Sequence, residues 1–246
     1  MKGYRQYCPI SRAAEILATR WTPVIVRNLV LGCETFSEIA EGAPGIPRSV
    51  LSERLRMLER HGLVERTPSR GYRLTDSGAE LEGVLDAMGA WGARWLEVAP
   101  TDLGAHIVLW SMCRLMEKNG QLPDERVVLR FDLSDGDHPH FWVVVERPEA
   151  EVCVKPPGFD VDLVVDTDSH WLAMWHMGRI PLGAAVRRGL IRVEGPRRLT
   201  SQLATWGLSR YAGAATSSPE SASAPTSRCA SGSCTRSRTT RAPRSS

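Results

Sequence analysis

The chain has 246 residues, 42% apolar and 24% charged, with a formal net charge of +3. That length suits two domains, each with its own core; no run approaches a membrane span and the N-terminus lacks a signal-type apolar region, so a cytoplasmic protein with no membrane partner is expected. The charge is uneven: residues 1–100 carry 13 basic and 12 acidic side chains, 101–212 carry 13 and 15, and 213–246 carry 5 and 1, so only a local basic cluster can argue for nucleic acid.

That cluster lies early in the chain. Phe36, Ile39 and Ala40 predict a short amphipathic helix, broken by Gly42, Pro44 and Gly45, and Pro47 suits the first position of a second helix because its missing N–H costs nothing there. On the second helix Leu51, Leu55 and Leu58 recur at i, i+4 and i+7, which places Ser49, Ser52, Glu53, Arg56 and Arg60 on the opposite face. His61 and Gly62 end it. Two short strands follow, 63–67 and 72–75, joined by Pro68, Ser69, Arg70 and Gly71, as in a wing. Between residues 44 and 75 seven arginines (48, 54, 56, 60, 66, 70, 73) face three glutamates (53, 59, 65), a local net of +4.

Residues 7–97, through YCPISRAAEILATRWTPVIVRNLVLG, GIPRSVLSERLRMLERHGLVER and YRLTDSG, resemble the HxlR-type winged helix-turn-helix regulators. The Cys-Pro opening, Arg-Trp-Thr, Phe-Ser-Glu-Ile and Leu-Ser-Glu-Arg-Leu carry the likeness. It implies a homodimeric bacterial transcription regulator. In it the helix from Pro47 would read double-stranded DNA with Arg48, Ser49, Ser52, Arg56 and Arg60, while the wing, with Arg66 and Arg70, would touch the backbone or minor groove. Thr35 stands where the family usually has an arginine, Pro47 where a Ser or Thr commonly caps the helix, and the wing is short. The resemblance also makes Cys8 a candidate thiol sensor of oxidants or electrophiles, with Arg5 and Arg12 near in sequence to favour the thiolate. The other reading of Cys8 is a small buried residue at a dimer interface.

From Asp76 one helix is expected to run to about residue 97. Leu81, Val84, Met88, Trp91 and Trp95 form a coiled-coil-like seam along it, and Gly83, Gly89 and Gly92 weaken it in isolation. The seam is either a dimer interface or packing within the subunit. Ala99, Pro100 and Thr101 mark a boundary, so the winged-helix domain is expected over 1–98.

Beyond it the pattern becomes α+β: a helix over about 102–119, a period-two run from Val127 to Leu133, a turn at Asp135, Gly136 and Asp137, then FWVVVE. Further strands are expected at 151–154 and 161–166, and helices at about 169–177 and 197–208. FDLSDG and VDLVVDTDSHWLAMWHMGRIPLGAAVRRGLIRVEGPRRLTSQLATW, with Met177-Gly178-Arg179 and Val193-Glu194-Gly195, resemble the sterol carrier protein type 2 fold over about 103–212. The resemblance implies a curved sheet covered by helices, with an apolar cavity for a hydrophobic small-molecule effector and no catalytic set. Trp110, Met116, Trp171 and Trp175 are the candidate ligand-binding residues, the alternative being plain core. Residues 213–246, rich in Ser, Thr, Ala, Pro and Arg, cannot bury enough apolar surface to fold and are expected to be disordered.

Six cysteines (8, 33, 113, 153, 229, 234) show no C-x-x-C spacing, and His138 and His140 flank Pro139 just after a turn. Neither pattern builds a metal site, and no cofactor is expected. The sequence thus describes a DNA-binding regulator rather than an enzyme, responsive to a hydrophobic molecule or to thiol-reactive stress. The alternative is a carrier of hydrophobic ligands whose N-terminal domain serves dimerisation.

Overall fold

The structure is a computed structural model and describes residues 3–97, 104–136, 138–209 and 211. The expected boundary at 99–101 and the tail at 213–246 lie outside the described residues. Helix α1 (Pro9–Leu17) opens on Pro9, and α2 (Thr22–Val30) carries Pro23 in its first turn, positions where no helical hydrogen bond is lost. Helix α3 (Phe36–Glu41) begins with a reciprocal cap. The Glu38 N–H donates to the Thr35 hydroxyl at 3.2 Å, and the Thr35 amide donates to the Glu38 carboxylate at 2.9 Å. Two otherwise unpaired amides are satisfied, which accounts for threonine at this position.

The turn into α4 (Arg48–Arg60) depends on Gly45 at φ 80°, a left-handed conformation that costs glycine least. Pro47 is the N-cap of α4 rather than its first helical residue. Leu51, Leu55 and Leu58 are fully buried in one core with Ile25, Val26, Ile39, Val64 and Tyr72. The wing strands β1 (Val64–Arg66) and β2 (Tyr72–Leu74) pair antiparallel, and the Tyr72 N–H donates to the Glu34 carbonyl at 2.7 Å. That bond ties the wing to the loop between α2 and α3.

The single helix expected from Asp76 is in fact two, α5 (Asp76–Ala79) and α6 (Leu81–Trp95). Thr75 caps α5 by accepting from the Gly78 N–H at 3.2 Å, and a Cβ on Gly78 would overlap the Leu63 carbonyl oxygen. The first turn is therefore seated against the wing, and the chain turns at Glu80 before the seam begins.

The second domain comprises α7 (Ala105–Lys118), β3 (Val127–Leu133), β4 (His140–Glu146), β5 (Glu149–Cys153), β6 (Leu163–Thr167), α8 (Ser169–His176), α9 (Leu182–Arg187), β7 (Arg192–Glu194) and α10 (Arg197–Leu203). Its sheet runs β5-β4-β3-β6-β7, with β3 and β6 parallel and the other pairs antiparallel. Leu129, Phe131, Leu133, Phe141, Val143, Val145, Leu163 and Val165 alternate onto the face that packs against the helices, as the period of two requires. Strand β7 and helix α9 are absent from the sequence reading; β7 has three residues and one apolar side chain, too few for any periodicity.

Helix α7 belongs to both domains. Leu109, Met112, Cys113 and Met116 lie in the second core, whereas Trp110 and Leu115 are buried in the first, with Ile107 packed against it. The Trp110 ring lies on Gly42, and the Arg27 guanidinium sits 5.9 Å from the ring centroid. Arg27 in turn donates to the Gly42 carbonyl and the Asn28 side chain. Lys118 and Glu82 pair at 2.7 Å, and Arg179 donates to the Ala93 carbonyl near the end of α6.

Gly42 has φ −72°, so its role is close approach rather than backbone freedom. A Cβ there would overlap Trp110 and the Asn28 amide, whereas a Cβ on Gly83 meets nothing within 4 Å. Gly42→Ala should destabilise the protein by about 1–3 kcal/mol through overpacking, and Gly83→Ala should stabilise it by up to about 1 kcal/mol through helix propensity. Thermal unfolding of both variants checks the pair; equal midpoints would rule out the Trp110 contact.

Candidate nucleic-acid interface

The leucine stripe determines what α4 presents to solvent. With Leu51, Leu55 and Leu58 inward, Arg48, Ser49, Arg56 and Arg60 are exposed and Ser52 is half-buried. Arg48 stacks over Phe36 at 4.9 Å, and Arg56 Nε donates to the Ser52 carbonyl at 3.1 Å, which directs the guanidinium along the helix surface.

The glutamates are not spread evenly against these arginines. Glu53 pairs with Arg54 at 2.8 Å, Glu59 with Arg66 at 2.6 Å and Glu65 with Arg73 at 2.7 Å. Each of the three acids is thus taken by one of three arginines. Arg48, Arg56, Arg60 and Arg70 make no ion pair among the described residues, so the local excess of positive charge resides on these four. Arg66, expected to meet DNA, is engaged by Glu59 and lies 4.2 Å from the Tyr72 ring centroid. A separation of seven residues between a helix and a strand hides that pair from a sequence reading. Arg70, at φ 63°, stands exposed in the wing turn.

Cys8 occupies the N-cap of α1 and is half-buried. Its pKa lies below the ordinary thiol value chiefly through the backbone N–H groups of Ser11 and Ile10 at the start of α1, although no side-chain capping hydrogen bond forms there and the Ser11 hydroxyl donates to Gln6. The helix start, rather than Arg5 or Arg12, is what favours the thiolate. Burial acts in the opposite direction elsewhere, pushing Cys33 up to about 12 and raising Cys113 and Cys153.

Three of the four expected ligand residues meet at one core, and Trp110 does not join them. Trp110 faces the first domain, whereas Met116 and Trp175 are fully buried members of the second core and Trp171, on α8, is half-buried against it. The signal for Trp110 was its offset from Leu109, Met112, Cys113 and Met116 on α7. His140 Nδ1 contacts Asp132 at 2.7 Å and His176 Nε2 contacts Ser111 at 3.2 Å.

A three-helix core, a helix with an unneutralised basic face and a two-stranded wing define a winged helix-turn-helix DNA-binding domain. Residues 16–100 match the HxlR-like helix-turn-helix family. The chain is 39% identical over 99 residues to the helix-turn-helix transcriptional regulator YvaP of Bacillus subtilis, covering 37% of this chain and 92% of that one. It is 37% identical over 101 residues to the transcriptional regulator YodB of the same organism, covering 38% and 90%. The quinone-bound crystal structure of YodB is 38% identical and covers 35% of this chain and 96% of that one, with a TM-score of 0.33. The protein therefore belongs to the HxlR-like helix-turn-helix family of transcription regulators. The ubiquinone synthesis protein UbiJ-SCP2 is 17% identical and covers 51% of this chain and 94% of that one, with a TM-score of 0.31; the α+β architecture of the second domain rests on its own strand pairing.

Because the Cys8 thiol titrates below its usual range, its alkylation by iodoacetamide should reach half-maximal rate at a lower pH than that of a cysteine in a denatured chain. Cys33 and Cys113 should stay unmodified until the protein unfolds. Mass spectrometry of labelled peptides across pH checks this, and a Cys8 profile matching the denatured control would show that the helix start does not act on the thiol.

Proposed function

We propose that this protein is a homodimeric, sequence-specific transcription regulator of the cytoplasm in which α4 enters the major groove and the wing contacts the DNA backbone. The observation that carries the reading is the distribution of charge: Glu53, Glu59 and Glu65 neutralise Arg54, Arg66 and Arg73, and leave Arg48, Arg56, Arg60 and Arg70 free for DNA. Arg56 and Arg60, on the outer face of α4, suit guanine edges, and Arg70 suits a phosphate. Its relatives are named as regulators, and we read the chain as a binding protein rather than an enzyme.

Dimerisation is supported by the exposed seam. Val84, Met88, Trp91 and Trp95 are 43%, 50%, 59% and 50% exposed along one side of α6, an apolar stripe that a second copy would cover. Two copies place two α4 helices on half-sites about 34 Å apart.

For the input signal we favour Cys8. Its thiolate can add to an electrophile such as a quinone, and it heads the domain that carries α4. An apolar effector inside the second domain would have to displace Met116 and Trp175, which already fill the core.

Arg56→Ala should weaken binding to a duplex selected from a random library by about 1–3 kcal/mol. Arg70→Ala should instead weaken all duplexes alike and reduce the salt slope by about one. Fluorescence anisotropy at several salt concentrations separates the two, and unchanged selectivity in a folded Arg56→Ala protein would remove α4 as the reader. A carrier whose first domain served only dimerisation would not discriminate among duplexes at all.

A Met88→Asp, Trp91→Asp double variant should sediment as a monomer, since two carboxylates would be buried without partners. If it sediments as the unmodified protein does, the seam is not the interface.

A further inference from the structure

One rung of the second-domain sheet carries four polar side chains side by side. His140 on β4 is paired in register with Asp132 on β3, Asp132 with Asp166 on β6, and Asp166 with Arg192 on β7. With strands about 4.8 Å apart, the rung spans about 14 Å. It forms one wall of a cleft of about 620 Å³ that is also lined by Asp168 and Trp171. The cleft opens at the carboxyl ends of the parallel strands β3 and β6, where β6 runs into α8, a place where open sheets with parallel strands commonly take ligands. Its volume lies within the range of about 300–1,000 Å³ usual for small-molecule sites.

From this arrangement we infer that the cleft is a binding site for a neutral polyhydroxylated ring, of the size of one or two sugar units. The inference goes beyond DNA reading and thiol sensing and stands without them. Charge pairing selects against anions. Asp132 is held by Arg130 at 2.9 Å and by His140 at 2.7 Å, Asp166 by Arg192 at 3.0 Å, and Asp168 accepts from the Trp171 N–H at 2.8 Å. Asp132 and Asp166 are each paired with an arginine, and Glu194 shares Arg192 at 3.5 Å, so a free anion finds no unpaired cation there; Asp168, held only by the Trp171 N–H, is the one lining acid without a cationic partner among the described residues. The same ion pairs select against an acyl chain, which would bury them without adding a hydrogen bond.

What the pairs leave unused fits hydroxyl groups. Arg192 bonds through Nε, His140 through Nδ1 and Asp168 through one oxygen. The terminal nitrogens of Arg192, Nε2 of His140 and the second oxygen of Asp168 remain as neighbouring donors and acceptors. A vicinal diol both donates and accepts, and so matches such a set where a carboxylate or an amine matches half of it. Trp171 lines the cleft, half-buried against the core with the Arg188 guanidinium 5.7 Å from its ring centroid, and its exposed part supplies an apolar surface for the C–H groups of a ring.

The test is saturation-transfer difference NMR on the full-length protein with D-glucose, D-galactose, D-ribose and myo-inositol, each at about 10 mM to reach weak affinities. Inorganic phosphate, spermidine and palmitate are measured as competitors. At least one neutral polyol should show saturation transfer concentrated on one face of its ring. Arg192→Gln, a change at an exposed side chain, should weaken that binding about tenfold, as expected for losing hydrogen bonds to a charged group. Trp171→Phe should retain the binding and Trp171→Ala should abolish it. Arg56→Ala should leave it unchanged, which separates this result from failure of the DNA reading. The inference is overturned if none of the four polyols shows transfer, if Arg192→Gln binds as the unmodified protein does, or if phosphate, spermidine or palmitate displaces the polyol by occupying the cleft.

Discussion

The contact of Trp110 with Gly42 is the constraint on which the rest of the architecture depends. Helix α7 is buried on two sides, one side in each core, and only a residue without a side chain at position 42 lets the indole reach the loop that follows α3. Arg27 covers the ring and anchors the same loop through the Gly42 carbonyl. The loop that sets the start of α4 is thus the surface on which the second domain rests.

The charge pattern on α4 and the wing depends on a division of labour among arginines. Surface ion pairs contribute little to stability, typically 0 to about 1 kcal/mol, so Arg54, Arg66 and Arg73 gain the fold little by pairing. Their effect is on the charge pattern: they consume the three glutamates, and the positive potential is left on one face of α4 and on the wing turn. Thr35 adds a different contribution, capping α3 where a further arginine would have enlarged that basic surface.

The second domain has a core filled by its own methionines and tryptophans, and a polar rung at the end of its sheet. In a sheet covered by helices on one face, the covered side is occupied by packing, and hydrogen-bonding groups collect on the open face and at the strand ends. The tryptophans therefore separate by role. Trp110 joins the domains, Trp175 fills the core, Trp171 borders the cleft, and Trp91 and Trp95 project from α6.

Much of this was legible in the sequence because it is local. The leucine spacing on α4, the turn at Gly45, the wing strands, the period of two in β3 and β4 and the apolar stripe of Val84, Met88, Trp91 and Trp95 are all written within a few turns or a single strand, where periodicity reports on which side chains share a face; Leu81, expected on that stripe, packs against the first core instead. The outward face of α4, with Ser49, Ser52, Glu53, Arg56 and Arg60, followed from the inward one. Four things were decided only by tertiary structure: the break at Glu80, imposed by the seating of Gly78 on Leu63; the capture of Arg66 by Glu59; the turning of Trp110 toward Gly42; and the alignment of His140, Asp132, Asp166 and Arg192 on one rung. Each depends on different elements meeting at a distance of a few ångströms. Sequence spacing carries no record of such distances, because they are set by how whole elements pack rather than by the pattern within any one of them.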